Sequence, residues 1–342
     1  MTTIRDVARR AGVSQATASR ALSGRGPVSP DALERVRAAA HALGYQVNKA
    51  ARSLRTQRTD TIGLLIPDVR NPFFSELAYV VEEAAGEHGL AVITMSADED
   101  AALEARALTV LMRQQVDGLI VAPRDEHAFA QVHSVPVVFV DRGGEAHGIP
   151  VVRSDNDGGA ALMVDHLVER GHRDIALITG PQSITTGRAR LESAARRLEH
   201  HGRSPRPEWI QEGDFQLESG RRAAAALLDS DRLPTAVFAG DNLMAVGALL
   251  ELQERGVHIG RDIALTAFDD APWFPLLDPP LTVVAQDVPR LGRVALESLL
   301  CLMGGGEATD VVVPVRLEVR SSCGLPSVHH HDQPALTHGR HS

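Results

Sequence analysis

The sequence predicts an α/β protein: a three-helix head carrying a helix-turn-helix, a short hinge helix, and a two-lobed core of parallel sheets. Three observations predict it. The 342 residues carry a net charge of −9, yet residues 1–60 hold 11 Lys/Arg against 4 Asp/Glu, leaving 24 against 40 in the remainder. A basic head on an acidic body follows. The stretch VARRAGVSQATASRALSG at 7–24 breaks between two short helical patterns at Ala-Gly-Val. From Thr61 onward, apolar runs of strand length alternate with helical patterns in two successive sets, the texture of parallel sheets covered on both faces.

In the head, Thr3 is placed to cap a first helix with Asp6 in its first turn and Ile4, Val7 and Ala8 on one side. Gly12 supplies the permissive backbone of a turn, and Val13 packs beneath it. Ser14 caps a second helix to about Ser23. Its Ala18, Ala21 and Leu22 face inward, while Gln15, Ala16, Thr17 and Arg20 face out. Ser29-Pro30 starts a third helix with Leu33, Val36, Ala40 and Leu43 at spacings of three and four, and Gly44 ends it. A helix of this second kind is slim enough for a DNA major groove about 12 Å wide. Charge by itself fits either a phosphate-binding face or a merely solvated one.

The segments TIRDVARRAGVSQATASRALSG and VSPDALERVRAAAHALGYQVNKAARSLRT make the reading specific. Over about 55 residues they resemble the DNA-binding head of the lactose-repressor (LacI/GalR) family. The resemblance implies base readout by Gln15, Ala16 and Arg20, since arginine reads guanine bidentately, glutamine suits adenine and alanine offers a methyl contact. Thr3, Ser14, Thr17 and Asn48 would fix register on phosphates. NKAARSLRT at 48–56 is too short to hold a helix alone. Its Ala50, Ala51 and Leu54 nevertheless form one apolar face. The resemblance implies a hinge helix that folds on DNA, with Leu54 wedged into a minor-groove step and Arg52 and Arg55 on phosphates or groove walls. A flexible basic linker is the alternative.

Strands are expected at TIGLLIP, LAVITM, VDGLIVA and VPVVFVD, with helices from about Phe73 and about Ala101. A link near 150–157 follows. The rhythm then resumes with helices at 157–170, 186–201, 217–229 and 241–255 between DIALITG, WIQEGD, TAVFAGD and DIALTAFDD. PPLTVVAQDVPRLGRVALESLL adds a strand and a long helix, and VVVPVRLEVR a last pair of strands. In such sheets ligands bind beyond the carboxyl ends of the strands. Polar and aromatic residues cluster there: Asp68, Asn71, Phe73 and Phe74; Asp141-Arg142; Asp155; Arg188 and Arg190; Asp241-Asn242; Asp269-Asp270 with Trp273. Rings stack on sugars or bases, and carboxylates and guanidinium forks bind hydroxyls. Each also has a structural reading. Asp155 and Asp241 sit where helix caps belong, and Phe73 or Phe74 can plug a lobe.

IGLLIPDVRNPFFSEL, VDGLIV, VVFVDR, HLVERGHRDIALITG, LMAVGALLELQERGV and DPPLTVVAQD resemble the effector-binding core of the same family, similar in turn to periplasmic sugar-binding proteins, over about 60–320. The resemblance implies that Asp68, Phe73, Phe74, Arg142, Arg190, Asp241 and Asp269 line an effector cleft; Asn71 and Trp273 join them on position. Three departures stand out: Asp241-Asn242 where the family has Asn-Asp or Ser-Asp, Ser193-Ala194 for a Gly-aromatic pair, and Ala267 for a Gly. A carboxylate at 241 disfavours an anionic ligand.

The expected division is therefore 1–47 helix-turn-helix, 48–60 hinge helix and linker, and 61–320 effector-binding and dimerisation core. Within the core the N-lobe is about 61–156 plus 288–320 and the C-lobe about 157–287; 321–342 forms a disordered tail. No Walker-type loop, GxGxxG or GxSxG is present, so no catalytic residue, cofactor or metal is expected. The histidine-rich tail reads as polar terminus, and without leucine heptads a dimer is expected. Cys301 and Cys323 lack metal spacing, no run approaches a membrane span, and no secretion signal precedes the head. The expectation is a cytoplasmic DNA-binding transcriptional regulator, most simply a repressor. Its partners are double-stranded operator DNA, a small polar effector of the sugar type and a second copy of itself, and no membrane. The competing reading is a sugar- or nucleoside-binding protein, or an enzyme on the same α/β core, without sequence-specific DNA readout.

Overall fold

The computed structural model describes residues 2–23, 26–45, 58–129, 131–144 and 148–324. The hinge positions Asn48, Ala51, Arg52, Leu54 and Arg55, and the tail from 325, lie outside the described residues. Met1–Thr59 and Asp60–Ser342 form two separate units.

In the first unit, α1 (Ile4–Ala11), α2 (Gln15–Ser23) and α3 (Pro30–Ala42) bury Val7, Ala8, Ala11, Ala18, Ala21, Val36, Ala39 and Ala40 among them. The Asp6 carboxylate accepts from the Thr3 N–H at 3.0 Å and the Thr3 hydroxyl at 2.7 Å, closing the first turn of α1. Gly12 takes φ +64°, ending α1 in the left-handed region that a side chain resists. The Ser14 hydroxyl then accepts the Thr17 N–H at 3.0 Å and starts α2.

In the second unit the N-lobe opens with β1 (Thr61–Ile66), α4 (Pro72–Glu87), β2 (Ala91–Ser96), α5 (Ala101–Arg113), β3 (Leu119–Val121), β4 (Val137–Val140) and β5 (Val151–Ser154). The C-lobe continues with α6 (Asn156–Glu169), β6 (Ile175–Thr179), α7 (Thr185–His200), β7 (Ile210–Glu212), α8 (Leu217–Leu228), β8 (Ala236–Ala239), α9 (Asn242–Glu254), β9 (Ala264–Phe268) and β10 (Thr282–Ala285). The chain returns to the N-lobe with α10 (Val288–Met303) and β11 (Val311–Val313), then to the C-lobe with β12 (Arg316–Glu318). The sheet orders are β11-β5-β4-β3-β1-β2 and β12-β10-β9-β8-β6-β7. Every pairing is parallel except β10 with β12. Apolar clusters cover both faces of each sheet, with Leu64 and Phe74 on one side of the N-lobe and Leu65 and Phe139 on the other.

The structure departs from the sequence reading at three places. The link at 150–157 contains β5, a four-residue strand whose apolar run Arg153 interrupts. Neighbours β4 and β11, rather than its own pattern, define it. The last two strands part company at Pro314, so β12 belongs to the C-lobe and not to an N-lobe segment ending at 320. Residues 321–324 also belong to the C-lobe. The Ser322 hydroxyl accepts the Thr282 N–H at 2.9 Å, and Ser322 and Cys323 are fully buried. The chain thus crosses between lobes three times, at 154–156, 285–288 and 313–316.

Helices α8 and α9 meet through two glycines. A Cβ on Gly247 would lie 1.9 Å from the Leu217 carbonyl oxygen, and one on Gly220 2.1 Å from that of Met244. Backbone against backbone leaves no room for a methyl group.

Candidate nucleic-acid interface and effector cleft

On α2, Ser14, Gln15, Ala16 and Arg20 are exposed and Thr17 half-buried, as Ala18 and Ala21 turn into the head's core. Thr3 is exposed at the start of α1. The local cause is the small-residue stripe on α2, which seats one face and leaves the other for contact. Arg9, Arg10 and Arg20 add positive charge to a unit otherwise poor in acids.

The second site forms at the carboxyl ends of both sheets. Asp141 and Asp269 each follow a strand directly, β4 and β9, and each takes a left-handed backbone, φ +66° and +69°. Asparagine and aspartate tolerate that region best. Asp68, Asn71, Phe73, Phe74, Asp141, Arg142, Arg190, Asp241 and Asp269 are all buried. Asn71 caps α4 by accepting the Phe73 N–H at 3.0 Å and accepts the Asn242 side-chain amide at 3.0 Å from the other lobe. Phe73 and Phe74 meet edge to face at 4.9 Å. A second cross-lobe bond joins the Gly143 N–H to the Thr185 hydroxyl at 3.0 Å.

Both buried arginines are already engaged. Arg142 binds Glu99 through two hydrogen bonds, at 2.9 and 2.6 Å, and lies over the rings of Phe74 and Phe215. Arg190 donates to Asn156 at 2.7 Å and to the Gly240 carbonyl at 2.6 Å. It faces Asp269 at 3.8 Å and rests on the Phe268 ring at 3.7 Å. Asp68 is held by Arg70, whose hydrogen bonds outweigh burial and bring the carboxyl below its usual range. The other carboxylates respond to burial. It pushes Asp141 up to about 6 and Asp241 to about 7, with Asp269 opposing ionisation of both, and raises Asp269 itself.

Asp241 caps α9 through Oδ1, which accepts the Met244 N–H at 2.8 Å, and Asp155 caps α6 in the same way at 2.8 Å. Capping accounts for one Asp241 oxygen only. Oδ2 has no hydrogen-bond partner, nor do Asp141 Oδ1, Asn242 Oδ1, Gln286 Oε1 and Arg142 Nε, the last facing Asp141 Oδ2 only at 3.6 Å. Trp273 stands apart from this group, 42% exposed on the loop after β9. Glu99, Asn156, Phe215 and Gln286 join the site without having stood out in the sequence. Gln286 had a readable signal, since it directly follows strand β10. Phe215 had none, and its φ of +62° is a tertiary outcome. His172, just after α6, is buried and bonds the Cys323 carbonyl at 2.7 Å, fastening the end of the described chain to the C-lobe.

Two cavities flank the buried polar group. One of about 280 Å³ beside the first crossover is lined by Asp141, Gly143, Ser154, Asp155, Thr186 and Arg188, among others. Another of about 660 Å³ beside the second crossover is lined by Phe73, Glu76, Asp269, Gln286, Asp287 and several prolines. Among the described residues no helix is long and apolar enough to cross a membrane.

Comparison with known proteins bears on both sites. Residues 3–48 match the model for bacterial regulatory proteins of the lacI family, and residues 164–323 match a periplasmic binding protein-like domain. Catabolite control protein A of Priestia megaterium is 34% identical over 94% of this chain and 98% of its own length. A ribose operon repressor of Halalkalibacterium halodurans is 36% identical over 88% and 90%. The crystal structure of the lac repressor dimer bound to operator and the anti-inducer ONPF superimposes with a TM-score of 0.83. It shares 29% identity, covering 94% of this chain and 99% of that one. A helix-turn-helix with an exposed second helix on a basic head, a two-lobed core with a polar cleft, and relatives alike over nearly their whole length lead to one conclusion: this chain belongs to the lacI family of bacterial regulatory proteins, and is a DNA-binding transcriptional repressor with a ligand-binding core rather than an enzyme.

Proposed function

We propose that the protein represses transcription in the cytoplasm as a homodimer on a near-palindromic operator and is controlled by a small hydroxyl-rich effector in the interlobe cleft. Gln15, Ala16 and Arg20 read base edges, while Thr3, Ser14, Thr17 and Asn48 hold phosphates. Paired hinges, with Ala51 and Leu54 as their apolar face and Arg52 and Arg55 on the DNA, spread the centre of the site. The proposed division is 1–47 for the head, 48–60 for the hinge and 61 to about 324 for the core. Asp68, Asn71, Phe73, Phe74, Arg142, Arg190, Asp241 and Asp269 face or support the effector, and Trp273 lies at the rim.

The observation that carries the effector reading is the set of orphaned polar atoms. Four buried oxygens, two at strand ends, one on the α9 cap and one on the first residue of α9, lack a donor, and one guanidinium nitrogen lacks a hydrogen-bond acceptor. Buried polar groups left unpaired are costly, about 1–3 kcal/mol each. A molecule supplying several hydroxyl donors and one acceptor meets that demand. Because these atoms come from both lobes, a ligand joining them favours closure. Closure shifts operator affinity by the differential binding free energy, about 1–3 kcal/mol for a useful switch. The likeness to a ribose operon repressor supports a sugar-class effector by analogy.

The test is selection of bound sequences from a random DNA pool by the full-length protein near physiological salt, repeated with pooled neutral sugars and nucleosides. A recovered palindrome of about 14–20 base pairs, whose recovery changes with the metabolite pool, is the expected result. Recovery of no motif under either condition overturns the sequence-reader assignment. In the same assay Leu54→Ala should weaken specific binding far more than non-specific binding; equal losses would remove its wedge role.

A further inference from the structure

We infer that the effector carries a protonated amine, seated in the cavity beside the second crossover against Asp269, Gln286 and Asp287. This deepens the reading of a hydroxyl-rich effector and rests on it. The first support is charge. The approximately 660 Å³ cavity is lined by four carboxylates, Glu76, Asp269, Asp270 and Asp287, and by one guanidinium, Arg316. Arg316 is paired with Glu318 on its own strand. Asp270 is neutralised by Arg320, which donates to it at 2.9 Å. Glu76 and Asp287 remain without an ion pair among the described residues, Arg316 acting on Asp287 only at longer range, while Asp269 keeps Arg190 at 3.8 Å.

The second support is an unpartnered acceptor. Gln286 is 8% exposed and lines the cavity. Its Nε2 donates to Asp269 Oδ1, which fixes the amide orientation because a carboxylate accepts only. Oε1 therefore carries the orphaned lone pairs, and no described group donates to it. An ammonium has three donors and no acceptor. It satisfies Gln286 Oε1 and Asp287 together, where an anion would be repelled by Glu76 and Asp287 and find no donor at Gln286 Oε1.

The third support is what lies deeper. The two buried arginines are committed to protein acceptors, Arg142 to Glu99 and Arg190 to Asn156, Gly240 and Asp269. Neither offers a free fork for a phosphate or carboxylate. Asp141 and Asp241 behind them each keep an unpartnered oxygen. Burial raises Asp141, Asp241 and Asp269 alike, and burial followed by the Asp287 charge raises Glu76. The whole cleft thus resists full ionisation until a positive charge enters. Phe73, Pro72, Pro275 and Pro289 supply an apolar wall for the body of the ligand.

Matched pairs test this directly. Binding of D-glucosamine, D-galactosamine, D-mannosamine and glucamine to the full-length protein is measured by calorimetry at pH 7.5. Each is set against its hydroxyl counterpart, with glucose 6-phosphate, cytidine and adenosine as further probes. At least one amine should bind about ten-fold or more tighter than its counterpart, the lower end of a charge-assisted hydrogen bond. The margin should shrink as pH falls to 5.5, where Asp141 and Asp241, raised by burial to about 6 and about 7, take up protons while the arginines stay charged. Asp269→Asn keeps the left-handed backbone and an oxygen for Gln286, and should abolish the margin. Equal or tighter binding by the neutral sugar, the nucleosides or the phosphate overturns the inference, as does failure of every amine to bind. If a neutral probe alters operator binding, the proposed function stands while the amine is refuted. If no operator is recovered, it is the proposed function that fails.

Discussion

Replacing Arg190 by alanine probes the centre of the cleft. The guanidinium is 6% exposed, makes hydrogen bonds of 2.7 and 2.6 Å to Asn156 and Gly240, and faces Asp269 at 3.8 Å. At that distance two unit charges attract by about 4 kcal/mol with an effective dielectric near 20. Arg190→Ala leaves Asp269 without a counter-charge and two acceptors bare, a loss of about 3–5 kcal/mol. Asp269→Asn alone leaves Arg190 its other two acceptors and should cost about 1 kcal/mol. The double variant removes the stranded charge along with its partner, so it should be about 2 kcal/mol more stable than the sum of the singles. Urea unfolding followed by fluorescence measures this, because Trp209 is buried in the C-lobe and Trp273 lies in the same lobe. Burial already raises Asp269, and Arg190 is what opposes the rise. The single variant's deficit should therefore shrink at low pH, where Asp269 is protonated. Additivity within about 0.5 kcal/mol would mean that the pair is not coupled and that the account of the cleft's charge is wrong. Arg190→Ala should also lose the effector response while binding operator normally.

Three more tests reach other parts of the chain. Gly247→Ala should prevent C-lobe folding, since its methyl group would sit 1.9 Å from the Leu217 carbonyl; a soluble variant with native circular dichroism and a near-native melting temperature would contradict the close approach. Arg20→Ala should weaken specific binding by about 1–3 kcal/mol and relax one base position in each half-site; a uniform loss across all DNA sequences would make it a phosphate contact instead. Asp241 holds its proton to about pH 7 in the folded chain against 3.8 as an isolated group. The folded state thus binds more protons across that window, and stability should fall as pH rises from about 4 to 7. Asp241→Asn keeps the cap and should flatten the Asp241 share of that slope in urea midpoints taken at pH 5 and pH 8. An unchanged slope would place the proton elsewhere.

Much of the fold was legible because its signals are local. The Thr3–Asp6 cap, the Gly12 turn, the Ser14 and Ser29 caps and the alternation of buried strands with amphipathic helices are each written within a few residues. The site was half legible by the same logic. Ligand residues gather at strand ends, and Asp68, Asp141, Asp241 and Asp269 stand at them. Their partners were not legible. Glu99 reaches Arg142 across 43 residues, Asn156 reaches Arg190 across 34, and Asn71 meets Asn242 across 171. Trp273 looked equivalent to Phe73 on position and composition, but packing left it on the surface.

The sequence by itself determined the classes of element, the charge division and the exposed face of α2, because helix caps, side-chain periodicity and net charge are properties of neighbours along the chain. Tertiary structure decided the rest. Strand β5 exists because β4 and β11 lie either side of it, and β12 joins the C-lobe because β10 offers an edge after Pro314. The cleft's resistance to ionisation arises because burial acts on carboxylates that the chain holds far apart, and desolvation depends on what surrounds a group rather than on what precedes it.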